Sequence, residues 1–132
     1  MIHELKVRVF YEDTDMAGIV YYANYLKYIE RGRSTMVREA GISQGQMKDE
    51  GLVFAVYHVD ATYKRSAKLD DELTITTKVQ HLSAVKMLFL QDVMRADEVL
   101  FTSKVTVICM TTAGKPVRLP AGFRAKMGLF AG

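Results

Sequence analysis

NYLKYIERGRSTMVREA, residues 24–40, carries the strongest periodic pattern in this sequence. Apolar and small residues recur in it at steps of four, three, four and four, at Tyr25, Ile29, Gly32, Met36 and Ala40. This spacing places them on one face of an α-helix, while most charged residues face elsewhere. We therefore predict a long amphipathic helix, with Asn24 as its N-cap and Gly41 as its left-handed C-cap.

Segments typical of β-strands lie on both sides of this helix. Residues 5–11 alternate with a period of two, which predicts a strand. A short second helix, capped by Ser43 and ending at Gly51, follows the long one. Four further strands are predicted at residues 52–63, 73–79, 85–94 and 99–110, before Pro116 and Pro120 interrupt the tail. This order predicts an α+β fold in which an antiparallel sheet of five strands wraps around one helix.

Length and charge restrict the function. The chain has 132 residues and neither a repeat nor a linker-like segment, so we expect a single domain over residues 1–132. Rossmann pairs, (β/α)8 barrels and α/β-hydrolases need roughly 200 residues or more and are excluded. The net charge is only +3, which does not call for a nucleic-acid partner. Because so short a chain encloses a small-molecule site with difficulty, we expect a homo-oligomer.

Residue usage also predicts the compartment. The sequence lacks an apolar run of about 18 residues, so no integral membrane segment is expected. Residues 1–10 contain charged residues where a signal peptide would be apolar, which favours a cytoplasmic location. Cys109 is the one cysteine, which excludes an internal disulfide and a thiolate zinc site. We expect its thiol in the core.

Two short motifs match catalytic or metal-binding patterns but lack the required context. Residues 41–45, GISQG, fit the G-x-S-x-G nucleophile elbow, but a helix precedes Ser43 where that motif needs a strand. We therefore interpret Ser43 as a helix cap. Residues 13–18 begin like a calcium loop, yet Ala17 and Asn24 occupy two ligand positions that need other side chains. The histidines are scattered, so we expect no metal and no cofactor.

The segment from residue 11 to residue 25 is the main candidate for chemistry. Three acidic residues, Glu12, Asp13 and Asp15, come directly before a small-residue turn and an apolar, aromatic patch. A carboxylate against such a patch is poorly solvated, which prepares it as a base or nucleophile. The alternative is that the acids cap turns and the aromatic residues fill the core. The residues alone leave both interpretations open.

Five segments carry a resemblance to a known family: VFYEDTDMAGIVYYANY at 9–25, ERGR at 30–33, FAV at 54–56, YKRSAKLDDEL at 63–73 and RLP at 118–120. Together they resemble the hotdog-fold acyl-CoA thioesterases. They are most similar to the Tol-Pal-associated branch of the 4-hydroxybenzoyl-CoA thioesterase family. The first segment is highly specific, and the five together span nearly the whole chain.

The resemblance implies both a catalytic residue and an assembly. The second Asp of the Asp-x-Asp pair, Asp15, would be catalytic, and Asp13 would be its structural neighbour. Two subunits would join their sheets as a homodimer and commonly pair again as a homotetramer. This sequence differs from many members of the branch, which have His at the position of Tyr22 and Pro at that of Ser66.

Thioester hydrolysis needs a base or nucleophile, a group that stabilises the oxyanion, and a place for CoA. Asp15 either attacks the carbonyl or deprotonates water, and both routes use the same carboxylate. Backbone N–H groups at the start of the long helix suit the oxyanion. The candidate substrate-binding residues are Gly18, Ile19, Val20, Tyr22 and Asn24, with Lys64 and Arg65 for the CoA phosphates and Lys68, Lys115, Arg118 and Arg124 as further basic candidates.

The sequence thus predicts an acyl-CoA thioesterase that uses Asp15 and acts on acyl-CoA, with acyl carrier protein as a further candidate partner. The alternative is a non-catalytic acyl-CoA or acyl-carrier-protein binding module on the same fold. The presence of Asp15 in its motif favours the enzyme. The sequence leaves the acyl preference open, because the depth of the pocket depends on how two subunits meet.

Overall fold

The computed structural model describes residues 1–131, and within them an antiparallel sheet of five strands in the order β1-β3-β4-β5-β2 packs against a long helix. The strands are β1 His3–Arg8, β2 Leu52–Tyr63, β3 Glu72–Leu82, β4 Lys86–Arg95 and β5 Glu98–Thr111. The helices are α1 Asn24–Glu39, α2 Gln44–Asp49 and α3 Ala121–Gly128, and a 3-10 turn spans Tyr11–Asp13. The predicted α+β fold is confirmed.

Helix α1 packs through the face that its spacing predicts, mainly against β3, β1 and β4. Its buried residues are Tyr25, Tyr28, Ile29, Gly32, Met36 and Val37. The predicted N-cap is wrong, because Asn24 is the first helical residue and Ala23 occupies the cap position without a side-chain bond. The Asn24 amide instead donates to the backbone oxygen of Asp13 at 2.9 Å. Asn24 therefore ties the helix start to the acidic loop.

The end of α1 and the start of α2 follow the predicted local chemistry. Gly41 has a φ of +86°, the left-handed conformation that glycine adopts most readily. The N–H of Ile42 donates to the Val37 oxygen and the N–H of Gly41 to the Arg38 oxygen, which completes a Schellman motif. Ser43 Oγ accepts from the Gln46 N–H at 3.1 Å, so Ser43 caps α2 as predicted.

The sheet face beneath α1 combines an apolar core with a short buried polar row. Residues of β3, β4 and β5 alternate between buried and half-exposed, as expected for a sheet with one covered face. Cys109 lies fully buried on that face, which confirms the predicted core thiol. Three neighbouring residues in register, Thr77, Gln91 and Ser103, are buried polar exceptions. The helix crosses directly above this row at Gly32.

Gly32 allows this close approach, and its replacement tests the packing. A Cβ built at Gly32 lies 2.8 Å from Ile75 Cγ2 and 3.2 Å from Gln91 Nε2. We expect Gly32→Ala to push α1 away from the sheet and to lower the free energy of unfolding by about 1–3 kcal/mol, measured by urea denaturation. Gly122→Ala is the matched control, because its Cβ meets nothing within 4 Å. A Gly32→Ala protein as stable as wild type would contradict this account.

Two parts of the sequence-based description need correction. The first strand ends at Arg8, and Tyr11 lies exposed in the 3-10 turn, because Asp13 Oδ2 accepts from the Phe10 N–H and bends the chain there. The tail contains α3, which was not predicted, and Phe123 from it stacks on Phe54 at 4.9 Å between ring centroids. The other strand predictions agree to within a few residues at their ends.

The two edges of the sheet differ in a way that bears on assembly. Strand β1 is short and carries exposed charged residues, which protect an edge against further pairing. Strand β2 has 12 residues, and its free edge is unpaired within residues 1–131. Val56 is 51% exposed, Tyr57 66% and Val59 39%.

No helix in the described part of the chain has the length and apolar character that a membrane crossing needs.

Candidate active site

The acidic loop before α1 is held by its own backbone and by Asp13. Asp13 Oδ2 accepts from the Phe10 N–H at 2.9 Å, and the Asp13 backbone oxygen accepts from the N–H of Tyr21 at 2.9 Å. Thr14 pairs with Val20 across the loop in an isolated bridge. The side chain and the backbone oxygen of Asp13 therefore both stabilise the conformation of the loop.

Asp15 lies at the start of a tight turn inside this loop. Its Oδ1 accepts from the Ala17 N–H at 2.9 Å, and its backbone oxygen accepts from the Gly18 N–H at 3.0 Å. Gly18 has a φ of +78°, which explains the glycine at this corner. Within residues 1–131, Oδ2 of Asp15 makes no hydrogen bond, so one carboxylate oxygen is free. The side chain is exposed, whereas one of the two interpretations that the sequence left open expects a poorly solvated carboxylate.

Asp15 lines a groove of about 270 Å³ that brings the loop, the start of α1 and the end of β2 together. We call it the Asp15 groove. It is lined by Asp15, Ile19, Val20, Tyr21, Tyr22, Tyr25, Tyr63, Lys64, Arg65 and Ser66. The chain from Ile19 to Val20 is tied to the segment after β2, because Ile19 bridges Lys68 and the Val20 N–H donates to the Ala67 oxygen at 2.8 Å.

Two backbone donors at the start of α1 face no internal acceptor. In the described residues, the N–H groups of Tyr22 and Ala23 donate to no backbone or side-chain acceptor, while the Asn24 N–H already bonds the Tyr21 oxygen. The first N–H groups of a helix carry the positive end of its dipole. Donors of this kind suit a developing oxyanion next to the Asp15 carboxylate.

Aromatic side chains form the inner wall of the groove. The Tyr63 hydroxyl donates to the Tyr22 backbone oxygen at 3.0 Å, which fixes the peptide next to the free donors. Tyr25 stacks on Phe101, and its hydroxyl accepts from the Ala67 N–H at 3.0 Å. Burial raises the pKa of the Tyr25 phenol and that of the Tyr63 phenol. Both phenols therefore stay neutral at physiological pH, as hydrogen-bonding groups rather than acids.

The basic rim of the groove rests on an ion-pair network. Arg65 Nε lies 3.0 Å from Glu98 Oε2, and Arg95 bridges Glu98 and Asp71 at 2.7 and 2.8 Å. Burial raises the pKa of the Asp71 carboxyl, but the Lys68 N–H and the Arg95 guanidinium outweigh it, and the net pKa is lowered. The network holds the segment after β2 that carries Lys64 and Arg65.

The structure brings together most of the residues that the sequence singled out. Asp15, Ile19, Val20, Tyr22, Lys64 and Arg65 line one groove. Gly18 and Asn24 do not line it; Gly18 forms the turn and Asn24 bonds the loop. The further basic candidates Lys68, Lys115, Arg118 and Arg124 are not part of its lining.

Four further lining residues, namely Tyr21, Tyr25, Tyr63 and Ser66, are not among the substrate-binding residues that the sequence predicts. The position of Tyr63 directly before Lys64 at the predicted end of a strand was an available signal. In the part of the chain that the structure describes, no three His, Cys, Asp or Glu side chains gather in a way that suits a metal ion.

Comparisons with known proteins give matches over most of the chain. Residues 9–127 match the family model described as the Thioesterase-like superfamily. The acyl-CoA thioester hydrolase YbgC of Escherichia coli is 35% identical over 122 residues, covering 91% of each chain. The acyl-CoA thioesterase YbgC of Haemophilus influenzae is 38% identical over 121 residues, covering 90% of this chain and 89% of that protein. A crystal structure of a probable thioesterase from Bartonella henselae is 34% identical, with a TM-score of 0.86, and the match covers 91% of this chain and all of that one.

Proposed function

Since this chain belongs to the Thioesterase-like superfamily, we propose that it hydrolyses acyl-CoA thioesters with the carboxylate of Asp15 as nucleophile or general base. The observation that carries the proposal is the Asp15 groove. It combines a carboxylate that has a free oxygen with a basic rim, and the N–H groups of Tyr22, which lines the groove, and of the next residue, Ala23, have no acceptor in the described residues. These are the three elements that thioester hydrolysis needs.

The geometry supports a simple sequence of events. The thioester carbonyl oxygen accepts from the N–H groups of Tyr22 and Ala23, which stabilise it as negative charge develops. Asp15 attacks the carbonyl carbon to form an acyl anhydride that water cleaves, or it takes a proton from a water that attacks instead. In both routes the carbon–sulfur bond breaks, the CoA thiolate leaves, and a free acid forms. Lys64 and Arg65 face the phosphate-bearing part of CoA.

We also propose that the active form is a homodimer joined along β2. The free edge of β2 presents a row of unpaired backbone groups together with exposed apolar side chains, Val56 and Val59 among them. Antiparallel pairing of two copies of β2 gives a closed two-fold dimer and covers these side chains. The second subunit supplies the missing wall that desolvates Asp15.

Residues 9–25 support a place in the Tol-Pal-associated branch of the 4-hydroxybenzoyl-CoA thioesterase family. We treat residues 1–132 as one domain. The single cysteine favours the cytoplasm as location, because extracellular proteins of this size commonly use disulfides. A thioester carried on acyl carrier protein presents the same reacting group and is a second candidate substrate.

The direct test is hydrolysis by the purified protein. We expect release of free CoA thiol from short, long and aromatic acyl-CoA thioesters in the presence of a metal chelator, followed with a thiol reagent. The same assay with acyl carrier protein thioesters identifies the preferred carrier. Activity that disappears on chelation and returns with zinc would contradict the proposed mechanism. Tight binding of acyl-CoA without turnover would favour a non-catalytic binding module.

A further inference from the structure

A second groove lies between α1 and the start of β2, and it shares no residue with the Asp15 groove. Its volume is about 270 Å³. Phe54 and Val56 of β2 form one wall, Met87 and Phe89 of β4 lie beneath, and Arg33 of α1 lines it from above. We call it the Arg33 groove. Eight of its twelve lining residues are apolar, Arg33 is its one cationic side chain, and Glu30 lines it as well.

The guanidinium of Arg33 is held in place by the buried polar row of the sheet. Its Nη1 donates to Gln91 Oε1 at 2.8 Å. Gln91 is fully buried, and its amide nitrogen donates to the Ile29 oxygen at 2.8 Å and to Thr77 Oγ1 at 2.9 Å. These two bonds fix the orientation of the Gln91 amide and therefore the position of the acceptor that holds Arg33. The arginine is positioned rather than free to sample solvent.

Arg33 has no counter-ion in the described residues. No carboxylate oxygen of residues 1–131 lies within 4.0 Å of its nitrogen atoms. The Glu30 carboxylate also lines the groove, but it is exposed at the surface and accepts from Ser34 Oγ at 2.9 Å rather than pairing with Arg33. Burial lowers the pKa of the Arg33 guanidinium while Glu30 opposes this, yet the group remains cationic at physiological pH. The bond to Gln91 uses one of the five N–H donors of the Arg33 guanidinium, so the other donors are available to an anion.

The two grooves lie at opposite ends of β2. The rings of Tyr25, at the start of α1, and Tyr63, at the end of β2, are 5.4 Å apart, whereas Val37 and Phe54 meet in the Arg33 groove. Helix α1 and strand β2 therefore run in opposite directions. When two β2 strands pair antiparallel about a two-fold axis, the start of one strand meets the end of the other. The Arg33 groove of one protomer then lies beside the Asp15 groove of its partner.

We propose that the Arg33 groove receives the far end of the acyl group and that Arg33 selects acyl chains ending in a carboxylate. The apolar walls suit the methylene chain, and the guanidinium pairs with a carboxylate through two parallel hydrogen bonds. This inference rests on the proposed thioesterase function and on the β2 dimer. It gives the enzyme a substrate class, the dicarboxylic acyl-CoA thioesters, with one carboxyl group activated as the thioester.

The test compares acyl groups of equal length with and without the second carboxylate. We expect wild type to show a higher kcat/KM for glutaryl-CoA than for valeryl-CoA, and for adipyl-CoA than for hexanoyl-CoA. Arg33→Met keeps the length of the side chain and removes its charge, so this ratio should fall by about 10- to 100-fold. Arg33→Lys should give an intermediate ratio, because it keeps the charge and loses the planar fork. Lys27→Met, an exposed cation on the same helix, is the matched control and should leave the ratio unchanged.

The outcomes separate this inference from the function on which it rests. The ratio is measured within one protein, so partial unfolding of a variant does not change it. If wild type hydrolyses hexanoyl-CoA and Arg33→Met leaves the ratio unchanged, the inference is wrong and the thioesterase function stands. If wild type hydrolyses no acyl-CoA, the proposed function itself fails. Should Arg33→Met not fold, product inhibition of wild type decides the question. Adipate should then inhibit at lower concentration than hexanoate, and equal inhibition would overturn the inference.

Discussion

Asp15→Asn protein should hydrolyse acyl-CoA about 100-fold or more slowly than wild type. The asparagine has the size of the aspartate, and its Oδ1 can still accept the Ala17 N–H, so the turn survives. What it loses is the negative charge and the capacity to take a proton or attack a carbonyl. Thiol release at saturating substrate measures kcat, and calorimetric titration of the variant with acyl-CoA should show that binding persists.

Asp13→Asn is the matched comparison, because it changes the same residue type two positions earlier in the same loop. The Asp13 carboxylate accepts from the Phe10 N–H, so we expect its loss to lower Tm more than it lowers turnover per folded molecule. Ser43→Ala removes the cap of α2 and should leave turnover unchanged. Near wild-type turnover in Asp15→Asn, together with a folded but inactive Asp13→Asn, would overturn the catalytic assignment.

Local chemistry explains why much of the fold was predictable. The spacing of Tyr25, Ile29 and Met36 identifies α1, and Gly41 and Ser43 mark helix boundaries, because these residues act through neighbours within a few positions. Helix α3 was missed for the opposite reason. Pro120 predicts an interruption of the chain, and the residues after it are only weakly amphipathic, so the formation of α3 depends on the packing of Phe123 against Phe54.

In the candidate site too, the residues that share a local motif were predictable from the sequence, whereas those brought together by distant contacts were not. Asp15, Ile19 and Tyr22 share one loop, so a motif in contiguous sequence was enough to select them. Tyr63 joins the groove only because β2 pairs with β5 and its end returns to the start of α1. The bond between Arg33 and Gln91 joins residues 58 positions apart and leaves no local signature.

The second large effect is expected at the β2 edge. Val59 pairs with the buried Val105 of β5, so it lies on the helix-facing side of the sheet near the middle of β2, yet it is 39% exposed. In a two-fold dimer, residues near the middle of one strand lie close to their own copies. Val59→Asp would therefore place two carboxylates together in a desolvated interface. We expect the dissociation constant of the dimer to rise by about 100-fold or more, since such like-charge contacts cost several kcal/mol.

Light scattering and activity measured over a range of protein concentrations check this expectation together. Wild type should scatter as a dimer or tetramer, and Val59→Asp should be monomeric and poorly active when dilute, with specific activity returning as protein concentration rises. Gln80→Asp places the same charge at an exposed position of β3, away from β2, and should change neither property. Because α1 leaves the inner face of β2 uncovered, the Asp15 groove lacks one wall in a single chain. A monomeric Val59→Asp protein with full activity would show that the groove needs no second subunit, and it would remove the structural basis for pairing the Arg33 groove of one protomer with the Asp15 groove of another.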